Sequence, residues 1–207
     1  MQDSGLMSPT SKQTFVVIAS MAAELHSVLE VAWGVSLAAK NAKIISTQAG
    51  DIARGFHPIT KFIDQISVQA MSGVRDIDER ALALTHITVA EERAIDAQRR
   101  FASVFKEHPK AKFISSLSPA MNKVDEGLEN IRRDFKGHMH SLDSLLKELD
   151  ECMLSARSVA SVSKIVTANT GDYKEKLLNV SRTLENAAKF IKEKTTNSHY
   201  LLNSLSF

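Results

Sequence analysis

The chain has 207 residues, 43% hydrophobic and 24% charged, the proportions of an ordinary globular protein with a sizeable core. Twenty-six Lys and Arg against 24 Asp and Glu leave a net charge of +2, with the signs mixed along the chain; this excludes the basic stripe that nucleic acid requires. The only cysteine, Cys152, excludes an internal disulfide and points to a reducing, cytoplasmic compartment.

Aromatic residues make up 6% of the chain, and its four Pro and eight Gly gather near apparent breaks, which favours helix over sheet. Residues 1–12 carry Ser, Gly and Pro without a basic leader and read as a flexible N-terminal tail. The longest apolar run, Phe15 to Ala23, is broken by Ser20 and meets Glu24, short of the ~18 residues of a membrane span, so no span is expected. The first helix follows a 3-4 rhythm through Ile18, Met21, Leu25, Val28, Ala32, Val35, Ala39 and Ala42, toward a turn at Gly50. The pattern resumes with Ile52, Phe56, Ile59, Ile63 and Ile66 and runs through Ile77, Leu84 and Ile87, with an irregularity expected near Gly73. Pro109 and the serines around it end this second helix near Lys106, and Ser118-Pro119 supplies a cap and first turn for the third.

The third seam takes Met121, Val124, Leu128, Ile131 and Phe135, then Leu142, Leu145, Leu149, Cys152, Ala156, Val159 and Val166. His138 and Ser163 fall on it as polar positions that a core accepts if their hydrogen bonds are met. A fourth helix follows Gly171, from about Asp172 to Asn203, with Leu177, Val180, Leu184, Ala187, Ile191 and Leu201 inward. The expected fold is all-α: an elongated antiparallel four-helix bundle, coiled-coil-like, built from two tandem helical hairpins. The first hairpin spans 13–106, a linker 107–118 and the second hairpin 119–207, in one bundle domain overall, with middle helices of about 75 Å at 1.5 Å per residue.

A repeat underlies this order. Lys43-Ile44-Ile45-Ser46-Thr47-Gln48-Ala49-Gly50-Asp51 recurs as Lys164-Ile165-Val166-Thr167-Ala168-Asn169-Thr170-Gly171-Asp172, an offset of 121 residues from Gly50 to Gly171. The same offset pairs Phe56 with Leu177, Ile59 with Val180 and Ile63 with Leu184. Two copies of one hairpin, with both glycine turns at the same end, is the natural reading. Neither glycine sits in a Gly-rich strand-to-helix loop, so both are read as turn residues with positive φ and not as a phosphate cradle.

Leu37-Ala38-Ala39-Lys40-Asn41-Ala42-Lys43-Ile44, with Ala49-Gly50-Asp51-Ile52-Ala53-Arg54-Gly55-Phe56, resembles the signalling tip of bacterial methyl-accepting chemotaxis receptors. Asn41, Ala42, Ile44, Ala49, Gly50, Arg54, Gly55 and Phe56 match that tip in one ungapped register, and Asp51 replaces its Glu. In that family two hairpins from two chains form a four-helix bundle whose tip binds a coupling adaptor and a histidine kinase; the resemblance implies a one-chain counterpart. It implies a partner-binding tip at Asn41, Ile44, Gly50, Asp51, Arg54, Gly55 and Phe56, which the repeat extends to Gly171 and Asp172. Lys40, Ile45 and Gln48 depart from the residues that the family uses between neighbouring receptors. Pro58 and Phe62 stand where it has Val and Glu, and Pro58 is expected to shift or kink the second helix.

No Glu-x-x-His spacing of a di-iron site occurs, and His138 and His140 lie about 200° apart around a helix, so no metal is expected. Cys152 on an apolar seam reads as inert packing, and Glu91-Glu92 as a solvated face and not a methyl-acceptor pair. The sequence thus predicts no enzyme, no catalytic residue and no cofactor. It predicts a cytoplasmic signalling or scaffold module whose partners are the coupling adaptor, the histidine kinase or chemoreceptors. The alternative is a structural bundle that has lost kinase coupling and serves in self-association or another protein interaction. A third reading, a lipid-binding bundle that opens at a membrane surface, fits poorly with polar faces carrying as many acids as bases.

Overall fold

The computed structural model describes residues 9–205, and the side chains of residues 13–205. Among these residues there are four α-helices and no strand: α1 (Pro9–Gln48), α2 (Phe56–Glu107), α3 (Ser118–Thr167) and α4 (Lys174–Asn203). Short 3-10 turns at Gly50–Ala53, Ile114–Leu117 and Gly171–Tyr173 precede α2, α3 and α4. The fold is all-α, as the sequence predicts.

Pro9 opens α1 inside the stretch read as a tail, consistent with a ring already set for the first helical turn; residues 1–8 lie outside the described residues. Pro58 is likewise accommodated. It is the third residue of α2, where the helix has no amide acceptor to lose, and α2 runs without a break to Glu107. No irregularity occurs at Gly73, and Ser118 is not an extended cap, since its φ of −56° and ψ of −44° are already helical.

The chain forms two compact units, and each draws on both expected hairpins. One takes the chain up to Ala19 with Glu79–Leu142; the other takes Ser20–Asp78 with the chain from Asp143 onward. In the first unit, Ala81, Leu84, Thr88, Leu128 and Phe135 are buried, and buried positions cease between Thr88 and Leu128, toward the Pro109 loop. There Gln98 Nε2 donates to Asp125 Oδ1 at 2.7 Å, and Arg132 pairs with Glu91 at 3.3 Å. His138 borders a cavity of about 280 Å³ with Arg80, Arg133 and Asp134; its buried Nδ1 lacks a hydrogen-bond partner.

The second unit holds most of the core. In α1 the buried stripe from Met21 to Ala42 follows the sequence seam, and it continues through Ser46 and Ala49. In α3 the buried stripe of this unit is Leu146, Leu149, Met153, Ala156, Ala160, Ser163 and Thr167, and with Leu142, the last residue of the first unit, it keeps an alternating 4-3 spacing. Half of the predicted positions therefore move by one residue: Leu145, Cys152, Val159 and Val166 are half-buried flanks. Both neighbours are apolar or small at each of these places, so spacing alone could not choose between them. The same shift sets Leu202 inward in place of Leu201, and Thr88 in place of Ile87.

All twenty buried positions from Leu142 to Leu205 have a buried counterpart 121 residues earlier, between Met21 and Leu84. The repeat therefore reaches far beyond its nine similar residues. Side chains of all four helices, among them Val35, Ala70, Met153 and Leu184, surround a gap of only about 10 Å³, too small to hold a water comfortably. Polar contacts link neighbouring helices around this core. Ser36 Oγ donates to Asp64 at 2.9 Å between α1 and α2, and Cys152 Sγ lies 3.7 Å from the Ile66 carbonyl between α2 and α3. Lys192 meets Asp150 at 2.5 Å between α3 and α4, and Lys194 meets Glu24 at 2.6 Å between α4 and α1. Buried Ser163 is satisfied by the Ser181 hydroxyl, the condition under which a core admits it.

Gly50 and Gly171 have φ of 60° and 55°, with open space around an added Cβ. Backbone strain alone should therefore make Gly50→Ala and Gly171→Ala each cost about 1–2 kcal/mol. Gly73 is helical, and an added Cβ would sit 3.9 Å from Leu149 Cδ1, an ordinary contact, so Gly73→Ala should add about 0.5–1 kcal/mol. Urea unfolding of the three variants checks both signs.

Burial pushes the Asp78 carboxyl above its usual range, partly offset by the nearby His26. A raised carboxyl pKa in the folded state means that the contribution of Asp78 to stability is most favourable at low pH, where it is protonated in both states, and falls as pH climbs past 3.8. Asp78→Asn should therefore raise stability at pH 7, by less than about 1 kcal/mol given how exposed the group is, and leave it unchanged near pH 3. Thermal melts at the two pH values test the sign.

Candidate functional site

The sequence-predicted site gathers where α1 ends. Its last full turns are held by side chains bonding back to the main chain, with Ser46 Oγ and Thr47 Oγ1 both donating to the Lys43 carbonyl at 3.0 and 2.8 Å. Gly50 then reverses the chain, and the turn Gly50–Ala53 leads into α2. Three residues per turn in place of 3.6 rotate the sequence, so that Ala53 and not Ile52 is buried. Ile52 is 63% exposed, a correction to its expected place on the second seam.

Asn41, Ile44, Gly50, Asp51, Arg54 and Gly55 are exposed, as are Gly171 and Asp172. Phe56 is different. It is fully buried at 0% exposure, so it anchors the start of α2 and cannot meet a partner directly. Gly55 also has a packing role: a Cβ there would lie 3.2 Å from Val166 Cγ1 on α3. This close approach sets the end of α3 against the start of α2 and brings the second copy's turn beside the first. Ser46 Oγ lies 3.2 Å from His57 Nδ1, tying the end of α1 to α2 across the turn.

The second copy reproduces the exposed features. Ile165 occupies the place of Ile44, and the two are 71% and 58% exposed. Gly171 and Asp172 occupy the places of Gly50 and Asp51, and all four are exposed. Ile165 is absent from the predicted site, although the repeat that pairs it with Ile44 was visible in the sequence. Nearby, Lys164 meets Glu185 at 2.6 Å and holds that carboxyl below its ordinary pKa, with a smaller contribution from Arg157. Arg157 and Glu185 stand at the repeat positions of Ser36 and Asp64, so a polar link between neighbouring helices persists with different chemistry.

No protein-family model matches the chain, and no curated protein does. The site's meaning therefore rests on its own residues and on the resemblance of its first copy.

Other groups in the second unit are structural in character. Asp150 accepts from the Thr195 hydroxyl and from Lys192, and His199 lies 3.7 Å from Asp150 and 3.5 Å from Asp143. Among the described residues, no group of three His, Cys, Asp or Glu side chains has the geometry to hold a metal ion. Residues Gln13–Gln48 form a helix long and apolar enough to cross a membrane, by length and composition. This corrects the expectation of no such stretch. The stretch has no unbroken apolar run of that length; α1 reaches the necessary mean hydropathy because it is rich in Ala and Val with few charges between them.

Cys152 borders a groove of about 390 Å³ with Gln69, Gly73 and Leu149, and burial pushes its thiol pKa up. Less thiolate is then present at pH 7–8 than on a free cysteine. Alkylation by iodoacetamide should accordingly be slower than that of free cysteine in the native protein, and reach the free rate in denaturant, as mass spectrometry of quenched samples would show.

Proposed function

We propose that the protein is a non-enzymatic, cytoplasmic signalling or scaffold module that binds protein partners through the end of its helices bearing Gly50 and Gly171. In this reading the helices form an antiparallel four-helix bundle of two tandem hairpins. The observation that carries it is the duplicated surface: an exposed Ile followed six residues later by an exposed Gly-Asp turn, at Ile44 with Gly50-Asp51 and again at Ile165 with Gly171-Asp172. The fold needs the glycines for the turns, but it does not need an isoleucine on the outer face beside each of them. A partner that buries both would give them a role, with Asp51, Arg54 and Asp172 supplying direction through charge.

The resemblance of Leu37–Phe56 to the chemoreceptor tip supports a coupling adaptor and a histidine kinase as the partner class. Ile45, Pro58 and Phe62 favour the second reading, a structural bundle that has lost kinase coupling and keeps its helices for other protein contacts.

Binding of the purified chain to the host's coupling adaptor and kinase, measured by pull-down and calorimetry, tests the first reading. Arg54→Ala and Ile165→Asp alter exposed groups and should each weaken binding at least about tenfold while leaving the helical signal intact. Absence of binding by the unaltered protein, or binding indifferent to both variants, would reject the tip as the signalling surface and leave the structural reading.

A further inference from the structure

The outer face of α1 carries a second seam that the chain's own core does not use. His26, Glu30, Trp33, Leu37, Lys40 and Ile44 are spaced 4-3-4-3-4, all point away from the buried stripe and all are exposed. Trp33, the only tryptophan of the chain, is 64% exposed. Alongside it lies a shallow groove formed with Leu29 and, across on α2, Met71 and Arg75. A heptad seam on the solvent side of a helix is what a partner helix fits.

The order of residues on this seam identifies the partner. In an antiparallel pair of identical helices related by a two-fold axis at residue 35, position i of one meets position 70 minus i of the other. The six residues then map onto themselves. Trp33 meets Leu37, Glu30 meets Lys40 and His26 meets Ile44. A parallel in-register pair would instead set Glu30 on Glu30 and Lys40 on Lys40, which like-charge repulsion disfavours. Among the described residues, neither Glu30 nor Lys40 takes part in an ion pair within the chain, so both are available. The second copy of the repeat has no such property: its matching positions Lys147, Glu151, Leu154, Ser158, Ser161 and Ile165 would face Glu151 with Ser161 and Leu154 with Ser158.

We infer that a second copy of this chain docks here, α1 against α1 in antiparallel order about a two-fold axis at residue 35. From His26 to Ile44 the face is about 27 Å long and, with the α2 shoulder, about 20 Å wide. It would bury roughly 540 Å² on each partner, at the lower limit for a specific interface and in the size class of weak, reversible association. Glu30 and Lys40, on either side of Trp33 and Leu37, argue against burial of this face in lipid. Ile44 belongs both to this seam and to the surface at the Gly50 end, so a dimer and a partner at that end would compete for it; the substitutions below leave Ile44, Arg54 and Ile165 unchanged, so dimerisation and partner binding are read separately.

Sedimentation velocity of the full chain across the micromolar range, with Trp33 fluorescence in parallel, is the test. A monomer-to-dimer shift accompanied by a blue shift of the Trp33 emission is expected. Lys40→Glu and Glu30→Lys should each weaken the dimer about tenfold, and the double variant should restore it to within about threefold of the original, because the exchanged charges again face each other. Leu37→Asp should abolish dimerisation, and far-UV circular dichroism should show these exposed substitutions to be folded. A chain that stays monomeric throughout, a Lys40→Glu variant that dimerises as tightly as the original, a double variant that is not restored, or a Trp33 shift seen only with anionic vesicles would each overturn the inference.

Discussion

The structure depends on two residues that take a backbone conformation closed to most others. Gly50 and Gly171 have left-handed φ values, and each directs the chain into a short 3-10 turn before the next long helix. The first turn has four 3-10 residues and reaches α2 through Arg54 and Gly55, whereas the second has three and passes directly into α4, yet the inward stripe resumes in the same phase, at Phe56 and at Leu177. That common phase lets twenty buried positions of one copy coincide with buried positions of the other. The small residues close to the turns, Ala39, Ala42, Ser46 and Ala49 in α1 and Ala160, Ser163 and Thr167 in α3, allow the helices to approach closely there. Larger side chains such as Met21, Leu25, Leu142 and Leu146 fill the stripes farther away.

Polarity inside this core is handled locally. Thr167 and Ser198 donate to main-chain carbonyls four residues before them, Thr170 to one three residues before it, and Ser163 shares its bond with Ser181. Each hydroxyl therefore enters the interior with its bond made within its own helix or with one neighbour, so no extended polar network is required. Where the chain carries charge near the core, as at Asp150 with Lys192 and Thr195, the carboxylate sits at the seam's edge and keeps part of its hydration.

Much of this was legible in the residues. The α1 seam, the two glycine turns and the helix bounds near Glu107 and Ser118 follow from spacing and from Gly and Pro chemistry. The register of α3 and α4 did not, because Leu145 and Leu146, Cys152 and Met153, Val159 and Ala160, and Leu201 and Leu202 offer adjacent residues that could each face inward. Only packing selects between them. Ile52 was misplaced because a 3-10 turn changes the rotation per residue, which a pattern based on 3.6 cannot anticipate. Of the residues at the candidate site, Phe56 has a place in a seam and in a motif at once, and burial assigns it to the seam. Ile165 could have been found by carrying Ile44 across the repeat and asking whether its surface setting was repeated as well.

The covalent join between the two copies has a consequence for the molecule's behaviour on dilution. When two separate hairpins supply a shared core, dissociation competes with folding, and stability falls as concentration falls. Here the segment between Glu107 and Ser118 connects the halves, so the side chains of α1, α2, α3 and α4 around Met153 and Leu184 meet in an intramolecular event with a fixed effective concentration. Assembly of that core therefore does not depend on protein concentration. The two halves are also always present one to one, so a substitution in one is displayed once per molecule and its counterpart need not follow. An exposed tryptophan at position 33 and leucine at position 154 are the kind of divergence that such a join permits.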